Sequence, residues 1–159
     1  MPNKKERLQM IWHKYETEKE HKPVSAREAV EWAVSEGVLE LPEIDPYDVL
    51  ADQMAGALRE ETQTDSKGRK YRVNHAMRVS KNGVQYTFWA VMGFAPHEHM
   101  ERSFTQRREL IIGECVQLRT DIDVYNELRA EEQHEPIQLV LDFTEDVAER
   151  LAFRQDDAA

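Results

Sequence analysis

The chain has 159 residues, of which 40% are apolar and 33% charged, and its formal net charge is -10 at pH 7. This length suits one compact core with extensions, and no run of about 18 apolar residues marks a membrane span. The single cysteine excludes an intramolecular disulfide. No apolar signal core follows the basic N-terminus, so we expect a cytoplasmic protein. The acidic balance argues against indiscriminate binding to nucleic acid, so any contact with a polyanion is confined to a patch.

Three short helices are predicted before residue 61. The first covers residues 4–20, where apolar side chains recur at helical spacing. The second covers about 26–36, because Ser25 and Glu28 can form a capping box at its start. The third covers about 46–60, where Asp-Pro provides an N-cap and a first helical residue.

After residue 61 the apolar period changes from helical to two, which predicts strands near 62–64, over 69–79 and after Asn82-Gly83. Asn-Gly favours a two-residue hairpin loop, and pairing outward from it sorts the side chains onto two faces. The face expected to turn inward holds Val73, His75, Met77, Val79, Tyr86, Phe88 and Ala90. The face expected to turn outward carries Arg72, Asn74, Arg78, Gln85, Thr87 and Trp89.

Residues 66–97 contain six Lys or Arg and no Asp or Glu. On an acidic chain, such a basic segment favours contact either with a polyanion or with the protein's own acids. In the first case the Lys and Arg side chains hold phosphates, and Trp89 stacks or wedges against a nucleobase. In the second, Trp89 lies beneath another helix and the arginines pair with acids of the long helix that follows. The candidate nucleic-acid-binding residues are Lys67, Arg69, Lys70, Arg72, Asn74, Arg78, Lys81 and Trp89.

Residues 96–128 form the longest helical pattern, with apolar residues three and four apart and Arg107 where one is missing. Such a helix reaches on the order of 50 Å, more than a small domain needs. We therefore expect a returning arm or a partner chain on it, most simply a homodimer.

The remaining chain, 129–159, is predicted to be an acidic loop and an apolar arm, with a short helix from Thr144 and a disordered tail from Asp156. The sequence thus predicts an α+β protein. Three short helices precede an antiparallel β-hairpin or three-stranded meander, followed by one long amphipathic helix and a C-terminal arm. The expected organisation is a domain at 1–95, the helix at 96–128 and the arm at 129–159.

Three helices followed by a hairpin with a basic tip, Lys81-Asn82-Gly83, resemble the winged-helix branch of the helix-turn-helix family. The resemblance covers roughly residues 4–92 and depends on element order and the capped second helix. It implies DNA binding, with the third helix in the major groove and the hairpin on an adjacent groove or the backbone. The third helix departs from this pattern because it offers four acids against one base, which equally fits a protein-interaction module. These residues are Asp48, Asp52, Glu60, Glu61 and Arg59.

Gln138, Leu141 and Phe143 have the spacing of the peptide by which many bacterial proteins dock on the DNA polymerase sliding clamp, and the segment resembles it. The resemblance implies a partner-binding segment at 137–143, with the two apolar side chains in a pocket and the amide making hydrogen bonds. The alternative is an arm buried against this protein's own sheet or its dimer mate.

No phosphate loop, nucleophile elbow or dinucleotide fingerprint occurs in the sequence. His97 and His99 are two apart on a helix and point away from each other, and Cys115 lies in an apolar stripe without an adjacent base. We expect neither cofactor nor metal and no enzymatic activity. The favoured function is a DNA-associated regulatory protein that binds nucleic acid with its basic hairpin. The alternative is a protein-interaction adaptor that docks through its C-terminal segment.

Overall fold

The computed structural model describes residues 1–158, with side chains as far as Arg154. It confirms the α+β class: three helices, two antiparallel hairpin sheets, a long helix and a C-terminal helix. The helices are α1 (Lys4–Glu18), α2 (Ala26–Ser35), α3 (Pro46–Glu60), α4 (His97–Leu128) and α5 (Thr144–Ala158). The strands are β1 (Thr62–Thr64), β2 (Lys70–Arg72), β3 (Asn74–Lys81) and β4 (Val84–Val91). No described helix is long and apolar enough to cross a membrane.

The backbone divides into two compact units, residues 1–50 and the chain from Ala51 onward. In the first unit, α1 and α2 share a small core of Ile11, Tyr15, Ala29 and Ala33. The capping box predicted at the start of α2 is present. The predicted three-part organisation into 1–95, 96–128 and 129–159 stays a prediction.

The second unit contains two separate hairpins where the sequence predicted one long strand over 69–79. The break falls at Val73, whose N–H donates to the carbonyl of Glu61 while its own carbonyl accepts from the N–H of Met92. Val73 thus bonds on one side to the segment that follows α3 and on the other to the end of β4. This change of partner leaves β1 pairing only with β2, and β3 only with β4.

The register predicted from Asn82-Gly83 is confirmed. Lys81 faces Val84, Val79 faces Tyr86, and the pairing continues to His75 opposite Ala90. Both loop residues have positive φ, +51° at Asn82 and +77° at Gly83. Two consecutive residues of this kind match the twist of the strands, which is why the loop fixes the register.

The two faces of the β3–β4 hairpin are covered less evenly than predicted. Val73 and His75 are buried as expected, but Tyr86 and Phe88 on the same face remain 45% and 48% exposed near the tip. Asn74 was expected to turn outward, and that expectation is wrong because its side chain is buried. Burial of a hairpin side chain therefore depends on the face to which it points and also decreases with its distance from α4.

Helix α4 packs on β3 through its first turns. His99 and Met100 are buried there, and Nε2 of His99 donates to the carbonyl of His75 at 2.8 Å. Further along, the N–H of Arg78 donates to Oε1 of Gln106 at 2.9 Å, and Nε2 of Gln106 donates to the carbonyl of Arg78 at 2.8 Å. The Gln106 amide therefore satisfies backbone groups on the free edge of β3, which would otherwise need water.

The chain after α4 turns back along that helix. The side chain of Asn126 accepts from the N–H of Ile137 at 2.9 Å and donates to its carbonyl at 2.8 Å. The following residues form no ladder with another strand, and α5 begins at Thr144. α5 continues through Ala158, so the disordered tail predicted from Asp156 is wrong as far as residue 158, and Ala159 lies outside the described residues.

Candidate nucleic-acid interface

The second unit contains a cavity of about 190 Å³ between the end of α3, the β3–β4 hairpin and α4. We call it the arginine cavity, because four arginines from four different elements line it. Its lining consists of Arg59, Arg72, Asn74, His75, Ala76, Arg78, Trp89, Ser103, Gln106, Arg107 and Leu110.

The local structure explains how these arginines meet. Arg72 is the last residue of β2, directly before the break at Val73. Arg78 lies on β3, where the side-chain amide of Gln106 bonds its backbone. Arg59 belongs to the last turn of α3, and Arg107 follows Gln106 on α4. Ala76 faces Trp89 across the hairpin, so a small side chain beside the large ring leaves a depression in the sheet surface.

No Asp or Glu lines the arginine cavity within the part of the chain that the structure describes. Arg27 and Arg119, by contrast, pair with Glu31 and Asp123 one helical turn away. None of the cavity arginines forms an ion pair with a described residue. The alternative in which the hairpin arginines pair with acids of the long helix is therefore wrong. The residues that α4 brings to the cavity are Ser103, Gln106, Arg107 and Leu110.

Trp89 forms one wall of the cavity and is half-buried. The guanidinium carbon of Arg59 lies 5.6 Å from the centre of its ring. At this distance the cation is attracted by the electron-rich ring face, by about 0.5–1 kcal/mol at an exposed site. The contact holds Arg59 at the cavity without neutralising its charge.

Two polar side chains in the lining are buried but differ in how they are bonded. Nδ2 of Asn74 donates to the carboxylate of Glu61 at 2.7 Å and to the carbonyl of Leu58 at 3.2 Å. Its donors are thus occupied by the protein. Ser103 is 0% exposed, and its hydroxyl has no hydrogen-bond partner among the described residues. An unsatisfied buried hydroxyl is costly and uncommon in proteins.

The other basic residues of the segment lie outside the cavity lining. Arg69 is held by Asp65 in an ion pair of 2.7 Å, so it is less available to a ligand than the sequence implied. The backbone N–H of Arg69 and then its guanidinium lower the pKa of Asp65 below its ordinary value. Lys67, Lys70 and Lys81 are exposed. Arg72, Asn74, Arg78 and Trp89 are the predicted site residues that the fold brings together.

Sequence reasoning missed Arg59, Ser103, Gln106 and Arg107 as members of this site. Arg107 left a signal, because it interrupts the apolar stripe of α4. Arg59 left one as well, since it is the only base in the acidic α3. Ser103 and Gln106 gave no signal, since uncharged polar residues are ordinary within a helical pattern.

The C-terminal segment lies along a second groove of about 810 Å³ on α4. Leu141 and Phe143 line it together with apolar residues such as Ile111, Ile112 and Val116. Leu141 is half-buried there. Leu141 and Phe143, the side chains that a clamp-binding peptide would insert into its partner, thus lie against this protein's own helix. Docking of this segment on a sliding clamp stays a prediction.

Among the described residues, no three His, Cys, Asp or Glu side chains are grouped as metal ligands would be. Comparison of the chain with protein-family models, curated proteins and solved structures found no match.

Proposed function

We propose that this chain is a non-enzymatic, DNA-associated protein that binds nucleic acid with the face of the β3–β4 hairpin surrounding the arginine cavity. The observation that carries the proposal is the convergence of Arg59, Arg72, Arg78 and Arg107 with no carboxylate in the same lining. On a chain of net charge -10, like charges gathered without partners are unfavourable to the folded protein alone. An anionic ligand offsets that cost.

The chemistry of the face suits phosphates and a nucleic-acid base. Guanidinium groups bind phosphate oxygens through two parallel hydrogen bonds, and they are less strongly hydrated than lysine ammonium groups. Trp89 adds an aromatic wall against which a base or sugar can pack. The surrounding lysines, Lys67, Lys70 and Lys81, extend the positive field beyond the cavity and favour the approach of a polyanion.

In a winged helix the third helix enters the major groove, whereas in this protein the hairpin makes the main contact with nucleic acid. α3 is acidic at Asp48, Asp52 and Glu60, and those charges disfavour close approach to phosphates. Its one contribution to the cavity is Arg59 in its last turn. We therefore assign the main contact to the hairpin and the adjoining turns of α3 and α4.

A salt series tests the proposal. Binding of a fluorescent DNA duplex and of a single strand should weaken steeply as salt rises, because bound phosphates release counterions. Arg72→Ala/Arg78→Ala should reduce the slope of log affinity against log salt by about 1.5 to 2, the effect of losing two phosphate contacts. The matched control is Arg27→Ala/Arg119→Ala, which removes the same charge from arginines already paired with acids.

The control double variant should bind as the parent does. Equal weakening by both double variants would mean that net charge alone is responsible. Absence of binding to every duplex and strand tried would contradict the proposal.

We further propose that the protein forms a homodimer through α4. Beyond its first turns this helix carries exposed apolar side chains, among them Ile111 and Val116 at 58% and 61% exposure. The C-terminal arm covers only part of them. A second copy of the same helix supplies a matching apolar surface of the required length.

A further inference from the structure

We infer that the arginine cavity is a binding site for a phosphate monoester, the group found at the phosphorylated end of a nucleic-acid strand. The inference deepens the proposed function and rests on it, since it names the part of the nucleic acid that enters the cavity. Phosphates within the strand remain on the surrounding surface.

Charge is the first reason. A phosphodiester within a strand carries one negative charge and has two free oxygens. A phosphate monoester carries about 1.5 to 2 negative charges at neutral pH and has three strong acceptor oxygens. Each guanidinium has five N–H donors, so four of them exceed what two oxygens accept. The monoester matches both the charge and the donors more closely.

Shape is the second reason. The cavity has a volume of about 190 Å³, well above what a single water needs. That space suits a phosphate with part of its sugar. A phosphate inside a strand is attached to a sugar on each side, and both attachments must leave through the cavity mouth. A terminal phosphate has one attachment and enters directly.

The buried hydroxyl of Ser103 is the third reason. It lies in the cavity lining, is 0% exposed and has no partner among the residues described. Its neighbour Gln106 cannot serve the ligand equally well, because both ends of that amide are bonded to Arg78 of β3. The hydroxyl is closed off in the unliganded protein, so a phosphate oxygen satisfies it only once a shift of the lining side chains uncovers it, and a free strand end reaches deepest.

One of the four arginine side chains is held in place before a ligand arrives, because Arg59 rests against Trp89. The other three are exposed, and their backbones belong to two strands and a helix. Preorganised donors lose less conformational entropy when the anion binds. The side of the cavity formed by Arg59 and Trp89 is therefore ordered before the ligand binds.

The test compares two oligothymidylates of roughly 12 nucleotides that differ only in a 5′-phosphate or a 5′-hydroxyl. Thymidine 5′-monophosphate and inorganic phosphate are measured separately by calorimetry. The phosphorylated strand should bind roughly tenfold more tightly, as expected for additional charge-assisted hydrogen bonds.

Arg107→Gln should remove most of that difference between the two strands. Arg108→Gln is the matched control, since it makes the same charge change one position along α4, at a residue outside the cavity lining, and it should preserve the difference. Ser103→Ala should also reduce it, and a thermal melt of each variant checks that the fold is intact.

Equal affinity for the two strands, with steep salt dependence retained, would overturn the monoester site and leave the proposed function standing. A third outcome is that the mononucleotide or inorganic phosphate binds, that Arg107→Gln abolishes this binding, and that no strand binds. It would support the monoester site and contradict the proposal that the phosphate belongs to a nucleic-acid strand. No binding of any probe would overturn both.

Discussion

Asp65 organises the turn between β1 and β2 with one carboxylate. It accepts from the backbone N–H groups of Lys67 and Arg69, at 2.9 and 2.8 Å, and from the guanidinium of Arg69 at 2.7 Å. The sequence predicted a turn here, because Asp, Ser and Gly favour one. It did not predict that Asp65 also forms an ion pair with Arg69. Several basic residues follow one another here, and their order does not show which of them the turn brings next to Asp65.

Replacing Asp65 with Asn should make stability less sensitive to acid. The pKa of Asp65 is lowered in the folded protein, so its carboxylate stabilises the fold above the ordinary value near 3.8. That stabilisation is lost as the pH falls through the lower folded value. The parent should melt higher than Asp65→Asn at neutral pH, and the gap should close as the pH falls below the ordinary value near 3.8.

Thermal melts across this range check the prediction. Glu40→Gln is the control for charge alone, because it removes one exposed negative charge from a loop. A constant difference in Tm between Asp65→Asn and the parent at every pH would contradict the account.

At the scale of elements, the β3–β4 hairpin could be predicted residue by residue because its information is local. Asn82-Gly83 fixes the loop, the loop fixes the register, and alternation assigns the faces. The break at Val73 could not be predicted, since it depends on bonds to Glu61 and Met92, both distant in sequence. The exposure of Tyr86 and Phe88 was missed for a related reason, because α4 covers only one end of the hairpin.

Two glycine substitutions should have effects of opposite sign. Gly83 has φ of +77°, so Gly83→Ala should destabilise the protein by about 1–2 kcal/mol through backbone strain. Gly113 lies inside α4 without positive φ, and an added Cβ meets no atom within 4 Å. Gly113→Ala should therefore stabilise the protein by about 1 kcal/mol.

Urea unfolding of the two variants and the parent measures both glycine effects. Space around Gly83 is equally open, so a steric clash does not account for a loss there. Equal effects of the two substitutions would show that backbone conformation is not the cause.

At the scale of the whole molecule, the segregation of charge was visible in the sequence, but the meeting of four arginines at one cavity was not. Arg72 and Arg78 could be assigned to one face of a hairpin from their spacing. Arg59 and Arg107 join them only because α3 and α4 flank the same hairpin, and no spacing rule relates positions so far apart. The sequence likewise predicted the apolar length of α4 and a returning arm or a partner chain along it. It did not predict the pairing of Asn126 with Ile137, which holds the start of the returning arm on α4.

The proposed dimer predicts twice the mass of one chain in light scattering. Ile111→Glu/Val116→Glu places two charges on the exposed apolar side of α4 and should give a monomer, because burying unpaired carboxylates is costly. Met10→Glu, at a similarly exposed position on α1, should leave the dimer intact. A monomeric parent would contradict the dimer without bearing on the cavity.

The most direct test of the central claim uses the three tryptophan indole signals in a proton–nitrogen NMR spectrum. Trp89 lines the arginine cavity, whereas Trp12 and Trp32 belong to α1 and α2. Adding a 5′-phosphorylated oligothymidylate should shift the Trp89 signal, assigned with Trp89→Phe, and leave the other two in place. An unchanged Trp89 signal when the strand is bound, or shifts confined to Trp12 and Trp32, would contradict binding at this face.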